Sequence, residues 1–186
     1  MVEDMGVSGE VSDVRVRAAE EGELDIFVEL AYETANVERA LGYSGIVGDP
    51  RTMVLELTKR IYLSWEDPSY LMLVAVDEED KVIGGLVGRL WDKGAMCEPR
   101  IVGKVELLCV REEVQRTYVG RTLGRMFEGL AIREGITRFE TSCSYNNVGV
   151  QEGLIKEGFR RELVVMVRDG VGVDMEPNTP EQIEEE

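Results

Sequence analysis

The sequence predicts a mixed α/β fold of the α+β kind, a single sheet with helices on both of its faces. Three observations lead there. Short apolar runs that read as strands are interspersed with segments whose apolar residues recur every three or four positions. The strongest helical period lies between two strand-like runs, where a crossover would sit in a mixed sheet. At 186 residues and 44% apolar content, the chain is long enough for one domain with a real core.

Each element has a local reason. Val14-Arg15-Val16-Arg17-Ala18 alternates as an opening strand. Glu20–Thr34 follows as a helix with Leu24, Phe27, Val28, Leu30 and Ala31 as its apolar stripe. Residues 35–50, rich in glycine and ending in Pro50, read as a loop. A second helix covers about Arg51–Trp65 and stops before Asp67-Pro68, because a residue preceding proline is pushed out of the helical region. Tyr70–Val76 and Lys81–Leu90 form a strand hairpin closed by Asp77-Glu78-Glu79-Asp80. A loop at Asp92–Arg100 leads to a strand at Ile101–Val110. The central helix starts near Val119 and presents Val119, Leu123, Met126, Phe127 and Leu130 on one face. A strand at Thr137–Cys143, a short helix closing on Lys156-Glu157-Gly158-Phe159, and a last strand near Arg161–Val167 complete the order.

The junction from Lys104 to Arg133 carries chemistry. A strand, a short polar turn and a helix N-terminus make an anion site, because the first helical N–H groups have no acceptor within the helix and the helix dipole adds positive potential. Arg116 and Arg121 would add charge beside them, and the arrangement suits a pyrophosphate. The nucleotide loop Gly-x-x-x-x-Gly-Lys-Ser/Thr does not occur, and the dinucleotide fingerprint needs three spaced glycines where this turn has Gly120 alone. Gln115-Arg116-Thr117-Tyr118-Val119-Gly120 instead resembles the Gln/Arg-x-x-Gly-x-Gly/Ala signature of the Gcn5-related N-acetyltransferases, the GNAT superfamily, with Tyr118 in place of the first glycine. Lys81-Val82-Ile83-Gly84-Gly85 is similar to that family's Val-Ile-Gly strand. Asn146-Asn147 followed by a helix closing on Lys156-Glu157-Gly158-Phe159 is similar to its C-terminal motif.

The resemblance spans about Val14–Arg168 and implies a mostly antiparallel sheet whose central strands, Val105–Val110 and Arg138–Cys143, splay apart to hold acetyl-CoA, with no metal. It implies backbone contacts to the pantetheine arm from Leu108, Cys109 and Val110. Gln115, Arg116, Val119, Gly120 and Arg121 would surround the pyrophosphate, with Thr122 in the first helical turn. Asn147, or Asn146 beside it, would bond the pantetheine region; a helix cap is the other reading of these asparagines. The implied activity is N-acetyl transfer to a primary amine of a small molecule, peptide or protein. The alternative is a non-catalytic acyl-CoA-binding or sensing domain, because Leu154 stands where the family's tyrosine acid is usual.

A base must come from carboxylates, tyrosines or water, since the chain has no histidine. Glu106 is the first candidate: strand alternation would place Glu106, Leu108 and Val110 on one face, and a carboxylate among apolar neighbours needs a partner or a raised pKa. Its other reading is an ion pair with Lys104 or Arg138. Glu140 on the neighbouring strand is the second candidate, with a solvated sheet face as the alternative. Tyr145, just after that strand, could serve as the acid or simply pack. Tyr32, Tyr43, Tyr62, Trp65 and Trp91 could line an acceptor pocket or fill the core.

Composition bounds the rest. The net charge is −16, but residues 1–13 carry four acidic residues and no basic one, and residues 169–186 carry seven and no basic one. Without those eleven the body holds 26 acidic against 21 basic residues, a net of −5. Both ends are expected to be disordered, leaving residues 14–168 as the domain. Direct nucleic-acid binding is not expected without a basic face. The acidic field favours a cationic acceptor, or else serves solubility. No apolar run approaches the ~20 residues that span a bilayer, and the N-terminus has no apolar signal core, so a cytoplasmic location is expected. Cys97, Cys109 and Cys143 read as reduced core thiols. A homodimer is left open.

Overall fold

A computed structural model describes residues 14–41, 49–115 and 118–162. Strand β1 (Arg15–Ala18) leads through a 3-10 turn at Glu21–Glu23 into helix α1 (Leu24–Ala40); helix α2 (Pro50–Glu66) follows. Strands β2 (Tyr70–Val76), β3 (Val82–Asp92) and β4 (Ile101–Val110) come next, then helix α3 (Val119–Arg133), strand β5 (Phe139–Thr141) and helix α4 (Val148–Lys156). The sheet has the order β1-β2-β3-β4-β5. The first three pairings are antiparallel, and β4 with β5 is parallel. That parallel pair requires a crossover, and α3 supplies it.

Strand alternation sorts the core onto the two faces. Met72, Val74, Val76, Val87 and Cys109 pack with Leu24, Phe27, Val28 and Leu30 of α1 and Ile61 of α2. Leu73, Ala75 and Leu86 pack on the opposite face with Val119, Leu123, Met126 and Phe127 of α3. Each such side chain, fully buried, contributes roughly 1.5–3 kcal/mol. Two glycines let aromatic rings lie flat on the sheet: a Cβ at Gly85 would come within 2.7 Å of the Phe27 ring, and one at Gly103 within 2.7 Å of the Phe139 ring.

Helix boundaries follow local chemistry. The Asp49 side chain accepts from the N–H groups of Arg51 (2.9 Å) and Thr52 (3.3 Å), and Pro50 takes the first helical position of α2. Past α4, Gly158 adopts φ 92° and the Phe159 N–H returns to the Leu154 carbonyl at 3.0 Å, the geometry that closes a helix on a glycine.

Several expectations change. Helix α1 runs past Thr34 to Ala40, because no glycine or proline interrupts the chain before Gly42. Strand β5 stops at Thr141, so Cys143 lies beyond it and is exposed rather than in the core. Only Cys109 is a buried thiol, and desolvation pushes it up to about 12. The last strand expected near 161–167, Tyr43, and the two terminal segments fall wholly or mostly outside the described residues.

Candidate active site

Strands β4 and β5 are in register only at Gly103–Phe139, Lys104–Glu140 and Val105–Thr141. Beyond Val105 the β4 edge has no strand partner among the described residues. Arg111 N–H bonds to the Ile83 carbonyl at 2.9 Å on the β3 side. Backbone alternation therefore turns the N–H groups of Val110 and Leu108 toward the open edge and that of Cys109 toward β3. The Cys109 thiol also points inward, to the Gly85 carbonyl at 3.5 Å.

The open edge runs into the first turn of α3. Its N-cap residue, Tyr118, makes no side-chain cap. Gly84 lets this turn come close: a Cβ there would meet the Cys109 carbonyl at 3.1 Å and Val119 at 3.2 Å. A Cβ at Gly120 would lie 3.6 Å from Val110 and 3.8 Å from Leu108, an ordinary contact that leaves little room for branching. Gln115 donates to the Val110 carbonyl at 3.3 Å, and the Thr122 hydroxyl bonds back to the Tyr118 carbonyl at 3.0 Å. Arg121 and Arg125 both reach Glu157 at the end of α4, at 2.7 and 3.0 Å. Arg116 lies outside the described residues.

On the far side of the gap, Asn147 caps α4 by accepting from Val150 N–H (3.3 Å) and donates to Glu38 of α1 at 2.6 Å. Asn146 donates to the Leu41 carbonyl at 2.7 Å. Both asparagines thus tie the loop after β5 to the end of α1, a partnership invisible in local sequence. Tyr145 is 85% exposed, which removes packing as its role.

A β-bulge corrects the expected face of Glu106. The register runs Val87↔Leu107 and then Gly88↔Val105, so Glu106 is the extra residue. Glu106 and Leu107 therefore both line a cavity of about 250 Å³ beneath α2, together with Ile61, Val87 and Tyr70. Leu108 and Val110 instead face α3. The ion-pair partners also differ from expectation. Glu106 Oε1 lies 2.8 Å from Arg89 Nε and 3.1 Å from Lys104 Nζ, whereas Arg138 turns to Glu140 and Glu162. Neither contact to Oε1 has hydrogen-bond alignment, so Arg89 Nε and Glu106 Oε1 are buried without a hydrogen bond. The Glu106 side chain makes no further ion pair among the described residues, and it lines the cavity.

Glu140 sits in a closed arrangement. Lys93 reaches it at 2.6 Å and Arg138 at 3.1 Å. Partial burial raises its carboxyl, but these two hydrogen bonds outweigh burial and hold it below the ordinary range. Around Trp91, Lys104 Nζ stands 4.6 Å from the ring centroid and the Arg89 guanidinium 5.5 Å. Sequence reasoning missed Arg89 and Lys93; the signal for Arg89 was a cation inside an otherwise apolar strand.

Comparison with known proteins agrees with this geometry. Among solved structures, the chain is similar to the aminoglycoside antibiotic 6'-N-acetyltransferase AAC(6')-IG from Acinetobacter haemolyticus, with 20% identity, a TM-score of 0.61, and coverage of 84% of this chain and 98% of that one. It is similar to AAC(6')-Iy, solved in complex with the bisubstrate analogue CoA-S-monomethyl-acetylneamine, at 15% identity and TM-score 0.65, covering 86% and 99%. A variant of the BH1408 protein from Bacillus halodurans gives 16% identity and TM-score 0.70, covering 84% and 99%. No curated protein matches the sequence. At these identities the structures share the fold; the sequence itself matches the model of the acetyltransferase (GNAT) family over residues 38–154, more than half of its length. That match makes this chain a member of the GNAT acetyltransferase family, with the open β4 edge and the first turn of α3 in its candidate site.

Proposed function

We propose that the chain is an N-acetyltransferase that moves the acetyl group of acetyl-CoA to a primary amine. The observation that carries this reading is the parting of β4 from β5 beyond Val105, which leaves an open strand edge beside the first turn of α3. An extended arm can pair with such an edge as an added strand does. We assign the backbone of Leu108, Cys109 and Val110 to that arm, and Gln115, Arg116, Val119, Gly120, Arg121 and Thr122 to the pyrophosphate end. Arg121 would exchange Glu157 for phosphate. Asn146 and Asn147 hold the opposite wall in place through α1. Bound there, the coenzyme supplies an activated thioester.

The chain's own groups must then manage two protons and one developing charge. A primary ammonium with a pKa near ~10.4 is mostly protonated at neutral pH and must lose its proton before attacking a carbonyl. Glu106 is suited to take it, directly or through a water, because Arg89 and Lys104 anchor its carboxylate at Oε1 and it lines the cavity beneath α2. The outward N–H of Val110 can donate to the oxyanion. We assign Tyr145, which is exposed after β5, to protonate the leaving thiolate, a step that water can also perform. Glu140, clamped between Lys93 and Arg138, holds the wall of the gap.

A screen of primary amines with acetyl-CoA, read by release of free thiol, tests the reading. Thiol release that depends on one class of amine is expected. Coenzyme binding by calorimetry with no thiol release from any amine would instead favour the second reading, an acyl-CoA-binding domain, which rests on Leu154 in the place of the family's tyrosine.

A further inference from the structure

We infer that the acceptor is a small apolar amino acid, a single amine with a carboxylate beside it and an aliphatic body, rather than a polycationic sugar. This rests on the acetyltransferase reading and specifies its acceptor.

The cavity beneath α2 has the size and the wall for such a molecule. Its volume of about 250 Å³ lies below the ~300–1,000 Å³ typical of sites for drug-sized ligands. At ~30 Å³ per water it corresponds to about eight waters. Leu57, Ile61, Leu63, Val87 and Leu107 supply an aliphatic lining. Where a polyhydroxylated sugar met these five side chains its hydroxyls would go unpaired, at a cost of ~1–3 kcal/mol for each buried polar group, because the polar groups of the wall are confined to Arg60, Ser64, Asp67, Tyr70 and Glu106.

The polar groups are arranged for one ammonium and one anion. Glu106 lines the cavity, and its buried Oε1 lacks a hydrogen bond. Arg60 also lines the cavity and makes no ion pair with any described residue. Asp67 is a second carboxylate on the wall, with Oδ1 already accepting from Ser69 N–H at 2.8 Å. The lining carries one cation, Arg60, and two carboxylates, Glu106 and Asp67, with Arg89 and Lys104 held against Glu106 behind the wall. A zwitterion matches that pattern, its ammonium meeting the carboxylates and its own anion meeting Arg60, whereas an amine without a carboxylate leaves Arg60 unanswered. The distant charge of the chain exerts little net pull on a neutral zwitterion, so this local pattern decides.

The test compares L-leucine, leucinamide, 3-methylbutylamine and kanamycin as acceptors with acetyl-CoA, alongside calorimetric binding of L-leucine to the full chain. L-leucine is expected to give the highest kcat/KM, at least ~10-fold above leucinamide and the simple amine. Arg60→Gln should raise KM for L-leucine ~10-fold, leave kcat nearly unchanged, and leave the leucinamide parameters unmoved, which a merely structural role would not do. Preference for kanamycin, or equal use of leucine and leucinamide with no response to Arg60→Gln, overturns the acceptor assignment and leaves the acetyltransferase reading standing. No thiol release from L-leucine and no heat of its binding overturns the acceptor assignment; no thiol release from any primary amine in the wider screen overturns both.

Discussion

From Gly103 to Val105, β4 pairs with a strand on both edges; beyond Val105 its one strand partner among the described residues is β3. In the first half Phe139 of β5 lies over Gly103, and Glu140 beside it is held by Lys93 and Arg138. In the second half one extra residue breaks the alternation, and Glu106 swings beneath α2 with Oε1 of its carboxylate anchored by Arg89 and Lys104. Both carboxylates face two cations each, and Glu106 borders the cavity beneath α2. The lesson is that charge pairing alone does not distinguish a structural carboxylate from a reactive one. Backbone register and access to space do.

The sharpest way to break this contrast is Glu106→Gln. It should preserve the fold and coenzyme affinity while lowering turnover ~10²-fold or more, measured as initial rates of thiol release. Turnover indifferent to the change would move the base to Glu140 or a water chain and erase the distinction between the halves. The closed half is tested by Gly103→Val. Its Cβ would overlap the Phe139 ring, and overpacking of this kind costs ~1–3 kcal/mol. For a chain of this size that is a fall of several degrees in Tm, roughly 2–4 °C per kcal/mol; an unchanged melting curve would mean that Phe139 is free to move.

Gly120→Val probes the open half. The Cβ itself fits, 3.6 Å from Val110, so stability should hold while the branched methyls crowd the approach to the first-turn amides. Coenzyme affinity should fall at least ~10-fold, about 1.4 kcal/mol, by calorimetry. Equal affinity would remove the α3 turn from the site. Asn147→Ala deletes the cap of α4 and its tie to Glu38, and should cost about 1 kcal/mol in chemical denaturation.

The smallest effect is one of pH. Because Glu140 is held below its ordinary range, its contribution to stability is complete above the unfolded carboxyl value near ~4.3 and is lost as pH falls through the lower, folded value. Glu140→Gln should therefore flatten the acid side of the stability profile; a slope identical to that of the wild type would show that the clamp does not stabilise the closed half.

The amino-acid sequence by itself determined the elements whose signal is local. The bounds of β4, Ile101–Val110, follow from an apolar run between a loop and a polar turn, and the buried face of α3 follows from the spacing of Val119, Leu123, Met126 and Phe127. The turn from Gln115 to Gly120 was likewise legible, because a strand running into a helix N-terminus is a contiguous pattern. The end of α1 was not: the glycine content of residues 35–50 masked a stretch with no breaker before Gly42. Only the tertiary structure decided where Glu106 points. A bulge is a mismatch of register between two strands, Val87–Gly88 against Val105–Leu107, and belongs to neither strand alone. The same holds for Arg89 as its partner and for the bonds from Asn146 and Asn147 to the end of α1, which join residues far apart in the chain. Periodicity reports which face of an element is apolar. It carries no information about which distant side chain will complete a buried charge, and the candidate site is built from such pairings.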